Sequence, residues 1–183
     1  MSEAQSAADE NRFPTVGIIG GGQLARMSAQ PAIALGVHLR VLAASLEDSA
    51  AQVIPDVRIG SHDDVQAVLD FAEGLDVVTF DHEHVPPEIL AQLVDRGIAV
   101  HPSPDALIHA QDKVVMRAAL SAAGLPCPQW ASLAADADAA TTQSVLSEFG
   151  ERAGWPLILK TSRGGYDGRG VWVADSLDAA LAI

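Results

Sequence analysis

Short apolar runs alternate with amphipathic stretches through the first hundred residues of the chain. The apolar runs have the length and composition of buried strands, and they cover residues 15–20, 38–43, 57–60, 75–80 and 98–101. Between them, apolar residues recur at helical spacing, which predicts helices over residues 23–35, 63–73 and 87–96. Strands that alternate with helices are typical of right-handed crossovers, so the pattern predicts an α/β fold with a doubly wound parallel sheet.

The pattern changes after residue 101, where Pro102 opens one long predicted helix that ends near Ala123. Residues 128–147 are rich in alanine and are predicted to contain a strand and another helix. Two further predicted strands flank a glycine-rich loop, and a last helix begins near Ser176. We therefore expect a disordered tail, a Rossmann-like domain and an incomplete α+β domain, over residues 1–14, 15–101 and 102–183.

Composition narrows the classes of function. Apolar residues make up 49% of the 183 residues, which is enough for a substantial core. Acidic residues outnumber basic ones by 24 to 11, giving a formal net charge of −13. A protein that holds nucleic acid by its phosphates needs a basic face, so we expect no nucleic-acid partner. A small phosphorylated ligand stays possible, because backbone N–H groups alone can bind a phosphate.

Cysteine usage and the absence of long apolar segments favour a soluble cytosolic protein. Cys127 is the single cysteine, so no intramolecular disulfide can form, as is usual in a reducing compartment. It lies between two prolines with no basic neighbour in the sequence, which indicates a loop thiol rather than a nucleophile. The N-terminal residues lack the apolar core of a signal peptide, and no apolar run is long enough to cross a bilayer.

A glycine turn, Gly20-Gly21-Gly22-Gln23-Leu24-Ala25, follows the first predicted strand and opens the first helix. It satisfies the G-x-G-x-x-A fingerprint of dinucleotide-binding sites, in which helix N–H groups bind phosphate. That fingerprint also needs an acid at the end of the second strand, and the nearest one, Glu47, comes late. Nicotinamide binding and a turn that only packs the helix on the sheet both stay open.

A polar segment, Asp81-His82-Glu83-His84, lies just beyond the fourth predicted strand, at the carboxyl edge of the sheet. Ligands of open α/β sheets bind at this edge. A carboxylate there can accept hydrogen bonds from a ligand hydroxyl or amine held over the glycine turn. The alternatives are a solvated loop, or a metal site on the two histidines, for which the sequence offers no clear third ligand.

Lys160 ends the almost wholly apolar strand Leu157-Ile158-Leu159, so a buried lysine with an anionic partner is expected. The glycine-rich loop, residues 164–170, begins four residues later. A lysine beside such a loop is a recurring clamp for nucleotide phosphates, and a plain mobile hairpin is the alternative. Lys113 and Arg117 lie one helical turn apart and share a face, although most such pairs are merely solvated.

Taken together, these segments resemble the 5-(carboxyamino)imidazole ribonucleotide synthetases, a family of the ATP-grasp superfamily. The matching segments occur in the family's order and cover residues 20–24, 79–85, 111–113 and 160–172. The string Gly-Gly-Tyr-Asp-Gly-Arg-Gly at residues 164–170 is the most specific. Its Tyr-Asp-Gly-Arg/Lys-Gly form distinguishes this family from related carboxylases and ligases that also carry a glycine loop.

The resemblance implies a ligase of purine biosynthesis. ATP phosphorylates bicarbonate, and the carboxyphosphate delivers its carboxyl group to the exocyclic amine of 5-aminoimidazole ribonucleotide. The implied ATP-binding residues are Lys113, Lys160, Gly165, Tyr166, Asp167, Gly168, Arg169, Gly170 and Val171. The implied ribonucleotide-binding residues are Gln23, Leu24 and Glu83, with Tyr166, Asp167 and Arg169 from the loop. Arg169 and Asp167 would act in catalysis.

The resemblance also implies features that the sequence does not supply. Magnesium in this superfamily is held by acids far beyond the glycine loop, so we expect its ligands outside this chain, together with a C-terminal domain. We therefore expect a truncated chain that is inactive alone and a homodimer when full length. The family often has Glu where this chain has Asp81, and Arg where it has Lys113; both keep their charge. A non-catalytic nucleotide-binding module and a nicotinamide-dependent oxidoreductase are the alternatives.

Overall fold

The computed structural model describes residues 12–165 and 168–183. Contacts within the chain divide it into two compact units, with the division between Leu107 and Ile108. Most of the predicted tail and two predicted site residues, Tyr166 and Asp167, lie outside the described residues. None of the described helices is long and apolar enough to cross a membrane.

The first unit is a parallel sheet that carries helices on both faces. Its strands are β1 (Thr15–Ile19), β2 (His38–Ala43), β3 (Asp56–Ile59), β4 (Val77–Phe80) and β5 (Ala99–Val100). Its helices are α1 (Gln23–Leu35), α2 (Val65–Ala72) and α3 (Pro87–Asp95). The strand order is β3-β2-β1-β4-β5, and every neighbouring pair is parallel. The predicted doubly wound α/β fold is therefore confirmed.

Successive residues of β1 point to opposite faces of the sheet and so enter different cores. Ile19 is fully buried in the larger cluster, where Phe71 of α2 and Leu90 of α3 also pack. Ile18 enters a smaller cluster with Ala25 of α1. Because both faces of the strand are covered, β1 is apolar without alternation, as its sequence predicted.

One predicted helix beyond residue 101 is two helices, so that prediction is wrong. Helix α4 (Pro104–Gln111) ends just before Asp112, and α5 (Lys113–Ala122) begins just after it. Asp112 has an extended backbone, with φ −127° and ψ 113°, and its side chain accepts from the N–H groups of Val114 and Val115. The apolar spacing continues through this position, but Asp112 caps a new helix and interrupts the old one.

The strand predicted within residues 128–147 is also wrong. The described residues of that segment form no strand, and helix α6 runs over Ala139–Ala153. Asp138 caps this helix by accepting a hydrogen bond from the N–H of Thr141 at 2.8 Å. Residues 131–136 are exposed, so the alanine-rich segment has no buried face that would favour a strand.

The second unit ends in an antiparallel strand pair covered on one face. Strands β6 (Leu157–Lys160) and β7 (Val171–Ala174) pair with each other, and α7 (Leu177–Ala182) follows. Ala174 packs with Leu146 of α6 and Ala180 of α7 in a small cluster. On the other face, the cross-strand partners Ile158 and Val173 are 55% and 60% exposed.

Candidate functional site

The glycine turn between β1 and α1 brings backbone close to two carboxylates. Gly20 has φ 110°, a conformation that favours glycine. A Cβ on Gly21 would lie 2.6 Å from Oδ2 of Asp48, and one on Gly22 would overlap the carboxylate of Asp81. The glycines are therefore required by the close approach of Asp48 and Asp81 to the turn.

Asp81 occupies the anion-binding position at the start of α1. Its Oδ2 accepts from the N–H of Gly22 at 2.5 Å, and its Oδ1 accepts from the N–H of Ala25 at 2.9 Å. In a dinucleotide-binding fold, these N–H groups face the pyrophosphate. Because a carboxylate of the protein already holds them, the geometry argues against the nicotinamide alternative.

Asp48 closes the second side of the turn from the loop after β2. Its Oδ2 accepts from the N–H of Ala44 at 2.8 Å, and its Oδ1 accepts from the hydroxyl of Ser45 at 3.1 Å. The N–H of Ala50 donates to the carbonyl of Gly21 at 2.9 Å. These bonds hold the loop against the glycine turn and make Asp48 part of the rim.

A cavity of about 330 Å³ lies at this edge of the sheet. The sequence predicted the glycine turn and Asp81 at this place, but it missed the residues that the loops after β2 and β3 contribute. The complete lining is Gly20, Gly21, Gly22, Leu42, Ala44, Asp48, Ser49, Gly60, Ser61, His62, Asp81 and His82. The missed residues follow the carboxyl ends of β2 and β3, which lie side by side next to β1. Knowledge of the strand order would therefore have placed them at this edge.

Three histidines cluster beside the cavity. The ring centroids of His62 and His82 are 4.7 Å apart, and those of His82 and His84 are 5.2 Å apart. Burial lowers the pKa of His82 below its ordinary value, and the neighbouring His62 and His84 lower it further. In the part of the chain that the structure describes, no three histidine, cysteine or acidic side chains are placed to hold a metal ion.

The three residues expected to bind the ribonucleotide lie in the first unit. Gln23 and Leu24 are exposed at the first turn of α1, where the hydroxyl of Ser49 donates to Oε1 of Gln23 at 3.2 Å. Glu83 is half-buried in the turn after β4, two residues beyond Asp81. These positions belong to the same sheet edge as the cavity, although none of the three residues lines it.

In the second unit, Lys113 is attached to the start of the glycine loop. Its Nζ donates to the carbonyl of Gly164 at 2.9 Å, and its backbone N–H donates to the carbonyl of Ser162 at 2.9 Å. The preceding residue, Asp112, forms a salt bridge of 2.8 Å with Arg163. The structure thus brings together two segments that lie fifty residues apart in the sequence and that were both expected to bind ATP.

The glycine loop is closed at its base and depends on left-handed backbone. Gly164, Gly165, Gly168 and Gly170 all have φ between 66° and 84°. The N–H of Thr161 donates to the carbonyl of Gly170 at 3.0 Å, which joins the two ends of the loop. The described glycines of the loop therefore adopt backbone conformations that other residues rarely adopt.

Lys160 is exposed, so the expectation of a buried lysine is wrong. It is paired with Val171, and Val171 is 40% exposed. The apolar composition of β6 suggested a strand buried on both faces, but β6 lies in a two-stranded sheet that is covered on one face only. Arg169 is exposed as well, while Tyr166 and Asp167 lie outside the described residues.

Comparison with known proteins gives a consistent result across sequence and structure. Residues 13–111, more than half of the chain, match the family described as the ribonucleotide synthetase preATP-grasp domain. The chain is 54% identical over 167 residues to N5-carboxyaminoimidazole ribonucleotide synthase of Mycobacterium tuberculosis, and 45% identical over 171 residues to that of Corynebacterium ammoniagenes. These alignments cover 91% and 93% of the chain, but 37% and 40% of the relatives.

Solved structures show the same similarity. A carboxyaminoimidazole ribonucleotide synthase from Aspergillus clavatus complexed with ATP is 31% identical, with a TM-score of 0.79. The Aspergillus clavatus enzyme in complex with ADP and 5-aminoimidazole ribonucleotide is 30% identical, with a TM-score of 0.78. Each comparison covers 93% of the chain and 44% of the solved structure. The chain therefore spans less than half the length of the proteins it matches.

Proposed function

The chain belongs to the family of ribonucleotide synthetase preATP-grasp domains, and we propose that it is part of an ATP-dependent ligase of purine biosynthesis. In the proposed reaction, an oxygen of bicarbonate takes the γ-phosphoryl group of ATP, and ADP leaves. The exocyclic amine of 5-aminoimidazole ribonucleotide then attacks the carboxyl carbon of carboxyphosphate. Phosphate leaves, and the nitrogen loses a proton to give the N-carboxylated ribonucleotide.

One observation carries this proposal. The sequence similarity to carboxyaminoimidazole ribonucleotide synthases extends over 91% of the chain. An alignment of that length extends over both units, one with the sheet-edge cavity and the other with the glycine loop, the two places where ligand chemistry was expected. We would not expect a non-catalytic nucleotide-binding module or an oxidoreductase to resemble these synthases at both the sheet-edge cavity and the glycine loop.

We assign the ribonucleotide to Gln23, Leu24 and Glu83 at the carboxyl edge of the sheet. In this proposal, the carboxylate of Glu83 accepts a hydrogen bond from an amine or a hydroxyl of the ribonucleotide. We assign ATP to the second unit, where Lys113 holds the start of the loop through the carbonyl of Gly164. Lys160 is exposed at the entry of the same loop, and its ammonium group is available to neutralise phosphate charge.

The loop assignments follow the family resemblance. Gly165, Gly168, Gly170 and Val171 would offer backbone to the phosphates, and the glycines allow the required left-handed conformation. Arg169 would stabilise charge on the transferred group, and Asp167 would act with it in catalysis. By the same resemblance, Tyr166, Asp167 and Arg169 would also belong to the ribonucleotide-binding residues.

The described residues do not form a magnesium site. The described residues place no three potential ligands together, and the only acids after the glycine loop are Asp175 and Asp178. We therefore propose that the magnesium ligands belong to a part of the ligase outside this chain. We further propose a cytoplasmic homodimer, with residues 15–101 as the substrate-binding domain and 102–183 as part of an ATP-grasp domain after a tail over 1–14.

The test is an assay of phosphate release by the full-length protein. Release should require ATP, bicarbonate and 5-aminoimidazole ribonucleotide together, and it should fall to background when any one is omitted. ATP binding without ribonucleotide-dependent turnover would favour a non-catalytic module instead. A change in nicotinamide absorbance under matched conditions would favour the oxidoreductase.

A further inference from the structure

The imidazole of His82 lies directly above the glycine turn. A Cβ placed on Gly20 would lie 3.0 Å from Cδ2 and 3.2 Å from Nε2 of His82. The ring is half-buried, lines the cavity and has His62 and His84 as aromatic neighbours. The edge of the ring that carries Nε2 therefore lies against Gly20, at the wall of the cavity.

The tautomer of His82 follows from one hydrogen bond. The backbone N–H of His84 donates to Nδ1 of His82 at 3.2 Å, so Nδ1 is the acceptor nitrogen. A neutral imidazole with an accepting Nδ1 carries its proton on Nε2. Among the described residues, no protein group takes a hydrogen bond from that Nε2–H. It is a donor without a protein partner at the wall of a cavity.

The charges around the cavity disfavour a phosphate. Asp48 and Asp81 both line it, and none of the described lysines or arginines does. The N–H groups at the start of α1 already bind Asp81. A phosphate in this cavity would face two carboxylates with no cation to offset them. A neutral polar group meets no such repulsion, and the hydroxyls of Ser49 and Ser61 are further suitable partners.

We propose that Nε2–H of His82 donates a hydrogen bond to an uncharged acceptor of the ribonucleotide, either a ribose hydroxyl or a ring nitrogen. The sheet-edge cavity then holds the nucleoside part of the ligand, and the phosphate lies outside it. His82 is thus a binding residue that orients the ligand over the glycine turn. The identity of the ligand rests on the proposed function. The assignment of Nε2 as the donor and its place at the cavity wall rest on the geometry.

The experiment compares the ribonucleotide with its dephosphorylated riboside by calorimetric titration of the full-length protein. His82→Phe keeps an aromatic ring and removes the donor, and it should weaken both ligands by the same factor, about 5- to 10-fold for one neutral hydrogen bond. His82→Gln can return an N–H near the position of Nε2 and should restore most of the affinity. His84→Gln is the matched control, because the backbone N–H that fixes the tautomer is retained.

The outcomes separate this inference from the proposed function. The inference is wrong if His82→Phe binds both ligands as tightly as the wild-type protein, or if it loses affinity for the phosphorylated ligand alone. The proposed function still stands in either case, provided that the wild-type protein carboxylates the ribonucleotide. If the wild-type protein neither binds nor carboxylates the ribonucleotide, the proposed function falls and the inference falls with it. Should His82→Phe not fold, His82→Leu removes the same donor with a smaller side chain. ¹⁵N spectra of labelled histidines must show His82 protonated on Nε2; a proton on Nδ1 contradicts the geometry.

Discussion

Asp81 shows how one side chain changes the chemistry of a familiar turn. The glycine pattern of residues 20–25 is compatible with a pyrophosphate site, but the carboxylate of Asp81 lies where that anion would bind. The negative charge suits the positive end of the α1 dipole. The carboxylate of Asp81 therefore stabilises the turn in place of a bound anion. A ligand at this edge must be recognised by side chains around the turn.

Asp81→Ala should destabilise the protein by about 1–3 kcal/mol, because two backbone N–H groups at the start of α1 lose a charged acceptor. Urea denaturation monitored by circular dichroism measures the free energy of unfolding. Asp95→Ala is the control, since it removes an exposed carboxylate from the last turn of α3. Equal stability of the two variants would contradict the capping role of Asp81.

His82 should make stability depend on pH. Its pKa is lowered below the ordinary value of 6.5, first by burial and then by His62 and His84, while Asp81 and Glu83 act in the opposite direction. The unfolded chain therefore binds the proton more readily. The stability that the neutral ring contributes is complete above pH 6.5 and is lost as the pH falls from there toward the folded-state pKa.

This pH dependence can be measured as the free energy of unfolding at pH 7.5 and pH 5.5. The wild-type protein should lose more stability between these values than His82→Gln, which cannot be protonated. Identical losses in the two proteins would show that protonation of His82 does not oppose folding.

At the scale of elements, the glycine loop and α5 are joined by contacts that periodicity cannot reveal. Asp112 ends α4, caps α5 and pairs with Arg163, and the adjacent Lys113 holds the carbonyl of Gly164. A single helix through this region would rotate Asp112 away from its capping position. The break thus positions the start of the loop.

Gly170→Ala should impair the loop more than Gly168→Ala. Both glycines have positive φ, 69° and 84°, so each alanine is strained by about 1–2 kcal/mol. A Cβ on Gly170 would also lie 2.7 Å from Oγ1 of Thr161, whereas one on Gly168 meets nothing within 4 Å. In the full-length protein, we expect the larger increase of KM for ATP in Gly170→Ala; the reverse order would contradict the loop geometry.

The correctly predicted parts of the fold depend on hydrophobic periodicity within short segments. The errors concern contacts between residues that are distant in the sequence. The alternation of strands and helices predicted the α/β sheet because both sheet faces are covered by helices that follow in sequence. The strand order is not encoded locally, so Asp48, Ser61 and His62 were missed at the cavity. Lys160 was expected to be buried because β6 is apolar, but the number of strands beside it decides its exposure.

For the whole molecule, charge is distributed unevenly along an acidic chain. The formal net charge is −13, yet six of the eleven lysines and arginines lie after Leu107. Four basic residues lie beside or within the loop region of the second unit: Lys113, Lys160, Arg163 and Arg169. In the proposed ligase, the basic loop region would bind the phosphates of ATP, and the acidic sheet edge would bind uncharged polar groups of the ribonucleotide.

Two substitutions should separate the substrates. Lys160→Ala removes an ammonium group at the entry of the loop and should raise KM for ATP about 10-fold, with little change for the ribonucleotide. Glu83→Gln alters the sheet edge and should raise KM for the ribonucleotide instead. Steady-state kinetics of the full-length protein with each substrate varied in turn provides the measurement. The assignment is wrong if Glu83→Gln raises only the KM for ATP, or if Lys160→Ala raises only the KM for the ribonucleotide.

The central claim is that bicarbonate is activated by ATP and transferred to 5-aminoimidazole ribonucleotide. The most direct test is turnover of the full-length protein with ¹⁸O-labelled bicarbonate, followed by mass analysis of the released phosphate. The account predicts one ¹⁸O atom per phosphate, because the bicarbonate oxygen that attacks ATP leaves with the phosphoryl group. Phosphate without ¹⁸O, whose fourth oxygen therefore comes from water, would contradict it.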